Sequence, residues 1–288
     1  MKLVNMRLGS TERLGLVTEP GTIHVRKATF QFGCPAPATL SQLMANPEKG
    51  LAELEHIATL PSAPLFSEPW SYAPIVPNPG KILCVGLNYH NHTAELNFEV
   101  PSNPVLFSKF NNTLAAHQED IALPATASRY DYEAELVIVM GKTASHVPVE
   151  QALDYVLGYT IGNDLTAREL QVLSGQWLLG KSLDSFAPIG PYLITKDDIE
   201  DPQDLAMQLH VNGVERQNET TARMIFSCAE LISYASRYFT LQPGDIIFTG
   251  TPGGVISGMP KGQRPWLKPG DDVSVSISGL GTLHNRLV

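Results

Sequence analysis

Two glutamates, Glu133 and Glu135, stand two residues apart directly before an apolar run at residues 136–140. The run predicts a buried strand, and residues i and i+2 of a strand project from the same face. Both carboxylates therefore point at one spot where the chain enters the interior. Like charges at a half-buried spot repel each other and lose hydration, and a divalent cation relieves both costs. The alternative is a solvated strand end that carries two free acids.

A histidine and a glutamate three residues apart, His92 and Glu95, form a second candidate pair. On one turn of helix they share a face, and a carboxylate beside an imidazole fixes its tautomer and raises its basicity. Such a pair suits a general base that acts on water. The alternative is a surface histidine near a surface glutamate. The sequence His90-x-His92 is also similar to a cupin metal motif, but the glutamate and glycine spacings differ and no second motif follows.

Basic and amide side chains supply candidate partners for an anionic ligand. Lys109 ends an apolar strand candidate at residues 104–109, and Lys181 stands between apolar segments. Each is a candidate buried cation, although Lys109 at a strand end could equally reach solvent. Arg168 and Gln171 are three residues apart, so on a helix they lie on one face and could bind a carboxylate together. The alternative for this pair is an ordinary polar helix surface.

The elements around these residues are predicted from periodicity and capping. Residues 155–161 read as a strand that leads into Asp164. Thr166 with Glu169 has the spacing of a capping box and predicts a helix that starts at Thr166, which places Asp164 in the loop just before it. A second capping box predicts a helix from residue 227 to about 237.

The chain divides into two predicted units. Residues 1–75 read as a small α+β domain that ends in a proline-rich connector, and residues 76–288 read as the larger domain that carries the candidate site. From about residue 190 the sequence is mostly β, and Asn212-Gly213 is a strong signal for a hairpin turn. The predicted N-terminal strands cover residues 2–7, 13–18 and 22–25, and the predicted helices cover 39–44 and 49–60.

Composition excludes several classes of function. The 288 residues are 43% hydrophobic and 17% charged, which allows a sizeable buried core. A net charge of −9 without a dense Lys/Arg stripe argues against nucleic acid or an anionic membrane surface as the main partner. The three cysteines are far apart, which favours a reducing compartment. No apolar run approaches a membrane span and the N-terminus lacks a signal-peptide core, so we expect a cytoplasmic protein.

Seven motifs occur in a fixed order along the larger unit. They are Cys84-Val85-Gly86-Leu87-Asn88-Tyr89, His92-x-x-Glu95, Pro104-x-x-Phe107-x-Lys109, Tyr132-Glu133-x-Glu135-Leu136, Asn163-Asp164-x-Thr166-x-Arg168, Lys181-Ser182-x-Asp184 and Thr249-Gly250-Thr251-Pro252. Together they resemble the fumarylacetoacetate hydrolase family, in particular its acylpyruvase and oxaloacetate decarboxylase branch. The resemblance covers residues 80–288 and is loose over the first 75. It implies a β-rich α+β fold, a mixed β-sandwich roll with a small N-terminal α+β domain, in a homodimer.

The resemblance also implies roles for individual side chains. It assigns three carboxylates to the binding of Mg²⁺ or Mn²⁺, two residues to a water-activating dyad, one to an active-site lysine and four to substrate contacts. The metal ligands are Glu133, Glu135 and Asp164, and the dyad is His92 with Glu95. The active-site lysine is Lys181, and the substrate contacts are Arg168, Gln171, Thr251 and Lys109.

The resemblance further implies chemistry on a small-molecule 2-oxo acid, with which these residue types are consistent. A bound cation stabilises the enolate that is expelled when the C3–C4 bond of a 2,4-dioxo acid breaks, and His92 would activate the attacking water. The first hypothesis is therefore a metal-dependent hydrolase of acylpyruvate-like or fumarylpyruvate-like acids. The alternative is decarboxylation or tautomerisation of oxaloacetate, or hydratase or lyase chemistry on a related 2-oxo acid, through an enolate stabilised in the same way. A non-catalytic carboxylate-binding or metal-binding protein is a further hypothesis from another class.

Overall fold

A computed structural model describes all 288 residues. The strands are β1 (Lys2–Leu8), β2 (Thr11–Thr18), β3 (Gly21–His24), β4 (Ser71–Tyr72), β5 (Ile82–Gly86), β6 (Val105–Lys109), β7 (Leu114–Ala115), β8 (Tyr130–Asp131), β9 (Ala134–Met140), β10 (Val156–Asn163), β11 (Thr166–Ala167), β12 (Ala187–Thr195), β13 (Ala206–Val211), β14 (Val214–Thr220), β15 (Ile246–Phe248), β16 (Asp272–Ile277) and β17 (Gly281–Arg286). The helices are α1 (Val25–Phe32), α2 (Leu40–Ala45), α3 (Pro47–Thr59), α4 (His90–Glu95), α5 (Arg168–Gln171), α6 (Leu178–Lys181) and α7 (Cys228–Ser236). Short 3₁₀ helices cover Asn111–Thr113, Val149–Tyr155, Lys196–Asp198, Thr221–Arg223 and Ile256–Gly258.

One large mixed sheet forms the centre of the molecule. Its strands follow the order β3-β2-β1-β12-β10-β9-β15-β5-β6, with β4 beside β1 and β7 beside β12. A second sheet of four antiparallel strands has the order β14-β13-β16-β17, and β8 pairs with β11 in a two-stranded ribbon. The fold is therefore the β-rich α+β class that the sequence predicts.

Strand β9 is buried on both faces, which explains its unbroken apolar sequence. Leu136 and Ile138 belong to a hydrophobic cluster shared with the four-stranded sheet and α7. Val137 and Val139 belong to a second cluster shared with α1, α2 and α3. Alternate residues of a strand project to opposite faces, so a strand that is covered on both sides needs an apolar residue at every position.

The N-terminal strands extend the large sheet. Strand β1 pairs with β12, with Leu3 opposite Leu193, and β2 and β3 continue outward from it. The predicted strands and the two predicted helices of this segment are confirmed within a few residues, whereas α1 was not predicted. Its N-cap is a histidine, His24, whose Nδ1 accepts the Lys27 N–H, and histidine is a weaker sequence signal than serine, threonine or aspartate. The division at residues 75 and 76 stays a prediction.

Turn and capping signals gave mixed results. The Asn212-Gly213 hairpin joins β13 to β14, with φ of 52° and 77° as a type I′ turn requires. The capping box of Ser227 and Glu230 opens α7 and is confirmed.

None of the helices is long and apolar enough to cross a membrane.

The predicted capping box at Thr166 is wrong. Thr166 lies in β11, and its hydroxyl donates to the main-chain oxygen of Asp164 at 3.0 Å. The carboxylate of Glu169 accepts the main-chain N–H of Arg129 at 3.1 Å instead of returning to the helix start. Helix α5 begins at Arg168 without a side-chain cap. Thr166 and Ala167, which the capping motif would have placed at the start of a helix, instead form β11 and pair with β8.

Candidate metal and substrate site

Three buried carboxylates converge where β9 begins and β10 ends. Glu133 immediately precedes β9, Glu135 is its second residue, and Asp164 directly follows β10. The two strands are antiparallel neighbours with Gly162 opposite Glu135, so the end of one lies beside the start of the other. One oxygen atom from each carboxylate lies within 4.8 Å of the others. The main-chain N–H of Asp164 donates to the Glu133 carbonyl at 2.9 Å and holds the two segments together.

Glu135 is the member of this group without a cationic partner. Its Oε2 accepts the N–H of Gly250 at 2.7 Å. Burial raises its pKa well above the usual range, and the negative charges of Asp164 and Glu133 raise it further. A divalent cation would reverse this effect by stabilising the ionised form.

Two buried lysines contact the carboxylates. Lys181 Nζ donates to Glu133 Oε2 at 2.7 Å and to Asp164 Oδ2 at 2.5 Å. Burial opposes the charge on Lys181, but the two carboxylates outweigh it and raise its pKa. Lys109 Nζ donates to Asp164 Oδ1 and, at 3.2 Å, to the Leu165 carbonyl. For Lys109 burial dominates and its pKa is lowered.

Arg168 contacts both the acidic group and Gln171, another predicted substrate-binding residue. Its Nη2 lies 2.7 Å from Glu133 Oε1, and its Nη1 donates to Gln171 Oε1 at 3.1 Å. Its Nε donates to Asp131 Oδ2 at 2.8 Å. The predicted pairing of Arg168 with Gln171 on one helix face is therefore present in α5.

Asp131 is a site residue that the sequence reasoning missed. Its side chain is fully buried, and its carboxylate accepts main-chain N–H groups of Tyr132, Ile256 and Ser257 at 2.9–3.0 Å in addition to Arg168. The sequence does contain a signal for it. Asp131 lies two residues before Glu133, the spacing at which side chains of an extended segment project to the same side.

His92 and Glu95 meet on α4. His92 Nδ1 lies 2.8 Å from Glu95 Oε1, and Glu95 Oε2 accepts the Gly254 N–H at 2.8 Å. The carboxylate favours a proton on Nδ1, which leaves Nε2 of a neutral ring as the basic nitrogen. His92 is buried. The pair therefore has the geometry of an oriented general base.

Gln217 is the second residue missed from sequence. Its Nε2 donates to Thr251 Oγ1 and to the Pro252 carbonyl, both at 2.8 Å, while its Oε1 accepts the Ala134 N–H at 2.9 Å. It thus ties the Thr251 loop to the first residue of β9. No local motif marks a glutamine in the middle of β14 for this role.

A cavity of about 280 Å³ brings most of these side chains together. Its polar wall contains His92, Glu133, Arg168, Gln171, Lys181 and Thr251. Its apolar wall includes Phe107, Trp177 and Trp266. Glu95, Glu135 and Asp164 do not line the cavity, and neither does Lys109, which contacts Asp164.

The charges of the group fit a hard divalent cation. The connected cluster has four carboxylates and three cations, namely Asp131, Glu133, Glu135 and Asp164 with Lys109, Arg168 and Lys181. With all seven ionised it carries one excess negative charge, which a divalent ion would turn into one positive charge. Carboxylate oxygens are the ligands that Mg²⁺ and Mn²⁺ prefer, and the resulting charge suits an anionic substrate.

Comparisons with known proteins show the family of this chain. The sequence profile described as "Fumarylacetoacetate (FAA) hydrolase C-terminal" matches residues 81–288. Oxaloacetate tautomerase Fahd2a, mitochondrial, of Rattus norvegicus is 40% identical over 260 residues, covering 89% of this chain and 82% of the rat protein.

Solved structures show the same likeness. Fumarylacetoacetate hydrolase from Exiguobacterium antarcticum superimposes with a TM-score of 0.82 at 31% identity, covering 100% of this chain and 99% of that one. Fumarylpyruvate hydrolase from Pseudomonas aeruginosa, in complex with Mn²⁺ and pyruvate, gives a TM-score of 0.67 at 35% identity, covering 75% of this chain and 98% of that one. This chain belongs to the fumarylacetoacetate hydrolase family.

Proposed function

We propose that the protein is a divalent-metal-dependent enzyme that interconverts the keto and enol forms of oxaloacetate. The observation that carries this proposal is the position of Glu133, which belongs to the buried carboxylate group and also lines the cavity. The similarity to the rat oxaloacetate tautomerase supports this substrate over the 2,4-dioxo acids of the first hypothesis. Decarboxylation of oxaloacetate releases CO₂ and leaves the enolate of pyruvate, whose negative charge develops on the same 2-oxo oxygen, so it remains part of the proposal.

Three carboxylates, those of Glu133, Glu135 and Asp164, would hold Mg²⁺ or Mn²⁺. When bound, the ion would polarise the 2-oxo group of the substrate and stabilise the enolate oxygen. Lys181, with its raised pKa, stays protonated and adds a second positive charge beside that oxygen.

The remaining residues of the proposed site position the substrate and move a proton. Gln171, Thr251 and Arg168 line the cavity and would bind the 1-carboxylate. His92 Nε2, oriented by Glu95, would remove the C3 proton in the keto-to-enol direction and return it in the reverse direction.

Hydrolysis of a 2,4-dioxo acid is the second candidate function. The observation that favours it is the His92–Glu95 pair, which suits activation of an attacking water as well as removal of a carbon-bound proton. The similarity to fumarylpyruvate hydrolase supports it too.

A substrate screen with Mg²⁺-loaded and Mn²⁺-loaded protein tests these functions. The keto–enol exchange of oxaloacetate is measured by the loss of the ultraviolet absorbance of the enol form. Decarboxylation of oxaloacetate is measured by the release of pyruvate. Hydrolysis of acetylpyruvate and fumarylpyruvate is measured by the formation of their C–C cleavage products. We expect metal-dependent acceleration of the oxaloacetate keto–enol exchange. Cleavage of the dioxo acids with no effect on oxaloacetate would replace the proposal by the second candidate. Inactivity towards all of them would leave a binding protein as the better hypothesis.

Assembly and location are proposed from the family resemblance and from the sequence. We infer a homodimer, which sedimentation or light scattering would test. The cytoplasm stays the proposed location; the rat relative carries a mitochondrial name, so imaging of the tagged chain would decide the compartment.

A further inference from the structure

A second space of about 330 Å³, here called the outer chamber, shares part of its wall with this cavity. The two spaces share three wall residues, Arg129, Arg264 and Trp266. Lys261 and Gly262 complete the outer chamber. Arg129 and Arg264 also line the cavity that contains Glu133, so a ligand that reaches from Glu133 to the shared wall meets two guanidinium groups.

The outer chamber is basic in an acidic protein. The chain carries a net charge of −9, yet the five residues that line this chamber include three cations and no carboxylate. None of Arg129, Lys261 and Arg264 forms an ion pair, whereas Lys109, Arg168 and Lys181 at the inner site all do. Unpaired charges of one sign at the mouth of a cavity attract a ligand of the opposite sign.

The nearby carboxylate of Glu169 does not neutralise this charge. It accepts the main-chain N–H groups of Ser128 and Arg129, and it forms no ion pair with the Arg129 guanidinium. The charged end of Arg129 is therefore left for another partner.

Arg264 is held in place by its surroundings. Its Nε donates to the Met259 carbonyl at 2.8 Å, and its guanidinium carbon lies 5.9 Å from the centre of the Trp266 ring. Its two Nη groups have no hydrogen-bond partner in the protein. A guanidinium fixed by its Nε and by an aromatic ring is preorganised to bind a carboxylate through its free Nη groups.

We propose that Arg129 and Arg264 form a subsite for the second carboxylate of a 2-oxo dicarboxylate whose 2-oxo acid end lies at Glu133 and Lys181. This inference rests on the proposed function, because it assumes that a 2-oxo acid occupies the inner cavity. It assigns the enzyme to dianionic substrates and gives the two arginines a role in specificity. Lys261 adds positive potential at the entrance.

The test compares ligands that differ only in the distal carboxylate. Calorimetric titration of the Mg²⁺-loaded protein is carried out with 2-oxoglutarate against 2-oxovalerate, and with 2-oxoadipate against 2-oxohexanoate. We expect the diacid of at least one pair to bind about tenfold tighter, as a charge-assisted pair of hydrogen bonds would provide. Equal binding within both pairs would overturn the subsite.

Substitutions of Arg129 and Arg264 show whether these two residues cause the preference for diacids. Arg264→Gln and Arg129→Gln should each weaken diacid binding several-fold and leave monoacid binding unchanged, while Arg264→Lys should retain part of the preference. Lys268→Gln is the matched control, because Lys268 is an exposed cation four residues after Arg264 in the sequence and lines neither space. Equal weakening of diacid and monoacid by Arg264→Gln would contradict a distal subsite. Circular dichroism checks that each variant is folded.

Binding and turnover separate this inference from the proposed function. If no 2-oxo acid is turned over but diacids still bind more tightly through Arg264, the proposed function is contradicted and the subsite is supported. Turnover of oxaloacetate together with no diacid preference in any ligand pair would remove the subsite and leave the function.

Discussion

Arg168 is positioned by Asp131. The Nε of Arg168 donates to Asp131 Oδ2 at 2.8 Å, and the same carboxylate accepts three main-chain N–H groups. Every partner of this carboxylate is a donor, so both of its oxygens act as acceptors. The guanidinium that contacts Glu133 is thereby fixed by a buried residue that does not line the cavity.

The substitution Asp131→Asn tests this positioning. An asparagine would place an NH₂ group against donors, so we expect a loss of about 1–3 kcal/mol in the free energy of unfolding. Turnover should also fall, because Arg168 loses its anchor. Chemical denaturation and steady-state kinetics measure the two effects. Asp154→Asn is the control, since Asp154 is exposed and forms no ion pair; an equal effect of both substitutions would contradict the prediction.

Glu135→Gln should remove metal-dependent turnover while the fold survives. The glutamine oxygen can still accept the Gly250 N–H, but the amide is a poor ligand for a hard cation. We expect Mn²⁺ affinity to fall by about 100-fold or more. The metal-free variant should be at least as stable as the parent, because a neutral group replaces a crowded carboxylate. Calorimetric metal titration and thermal unfolding measure both, and unchanged activity would overturn the site.

His92→Gln should separate reactions that need a base from those that do not. Enolisation and C–C hydrolysis should fall by about 10²–10⁴-fold, the usual contribution of a general base. Decarboxylation of oxaloacetate should persist, because loss of CO₂ requires stabilisation of negative charge but no base. All three rates are measured on one metal-loaded preparation. His56→Gln is the control, since His56 is an exposed residue of α3. A parallel loss of all three reactions in His92→Gln would exclude a role limited to proton transfer.

Gly180→Ala should displace the active-site lysine. A Cβ at Gly180 would lie 2.4 Å from the Gln171 nitrogen and 2.5 Å from the Ala167 oxygen, so helices α5 and α6 would have to separate. Overpacking of this kind costs about 1–3 kcal/mol, and Lys181 would move with its helix. Denaturant unfolding and turnover measure the effect. Gly175→Ala is the control, because its Cβ would meet no atom within 4 Å.

His117 should make the protein less stable in acid. Burial, aided by the charge of His284, lowers the pKa of His117 to about 4, and its Nδ1 accepts the His284 N–H in the neutral form. In the unfolded chain its pKa is near 6.5, so the unfolded state binds the proton more readily between those values. Stability is therefore fully present above pH 6.5 and declines as the pH falls towards 4.

The substitution His117→Gln measures this contribution. Because the ring is only partly buried, solvent screening limits the expected effect to about 1 kcal/mol. The difference in unfolding free energy between pH 7 and pH 4.5 should shrink by that amount in the variant. An unchanged difference would contradict the assignment, and His56→Gln serves as the exposed control.

Local patterns determined those parts of the site that lie within one element. Glu133 and Glu135 flank the start of a strand whose apolar run shows that it is buried on both faces. His92 and Glu95 meet because three residues on a helix complete about one turn. These relationships depend only on backbone periodicity, so the sequence alone predicts them.

Tertiary structure decided which distant residues join that strand. The pairing of β9 with β10 brings Asp164 beside Glu135, and Lys109 reaches Asp164 from a strand at the far edge of the sheet. The pairing of β8 with β11 also overrides the capping motif at Thr166. Strand order and register arise from the burial of faces across the whole sheet, and a local motif contains no information about which strand will lie beside it.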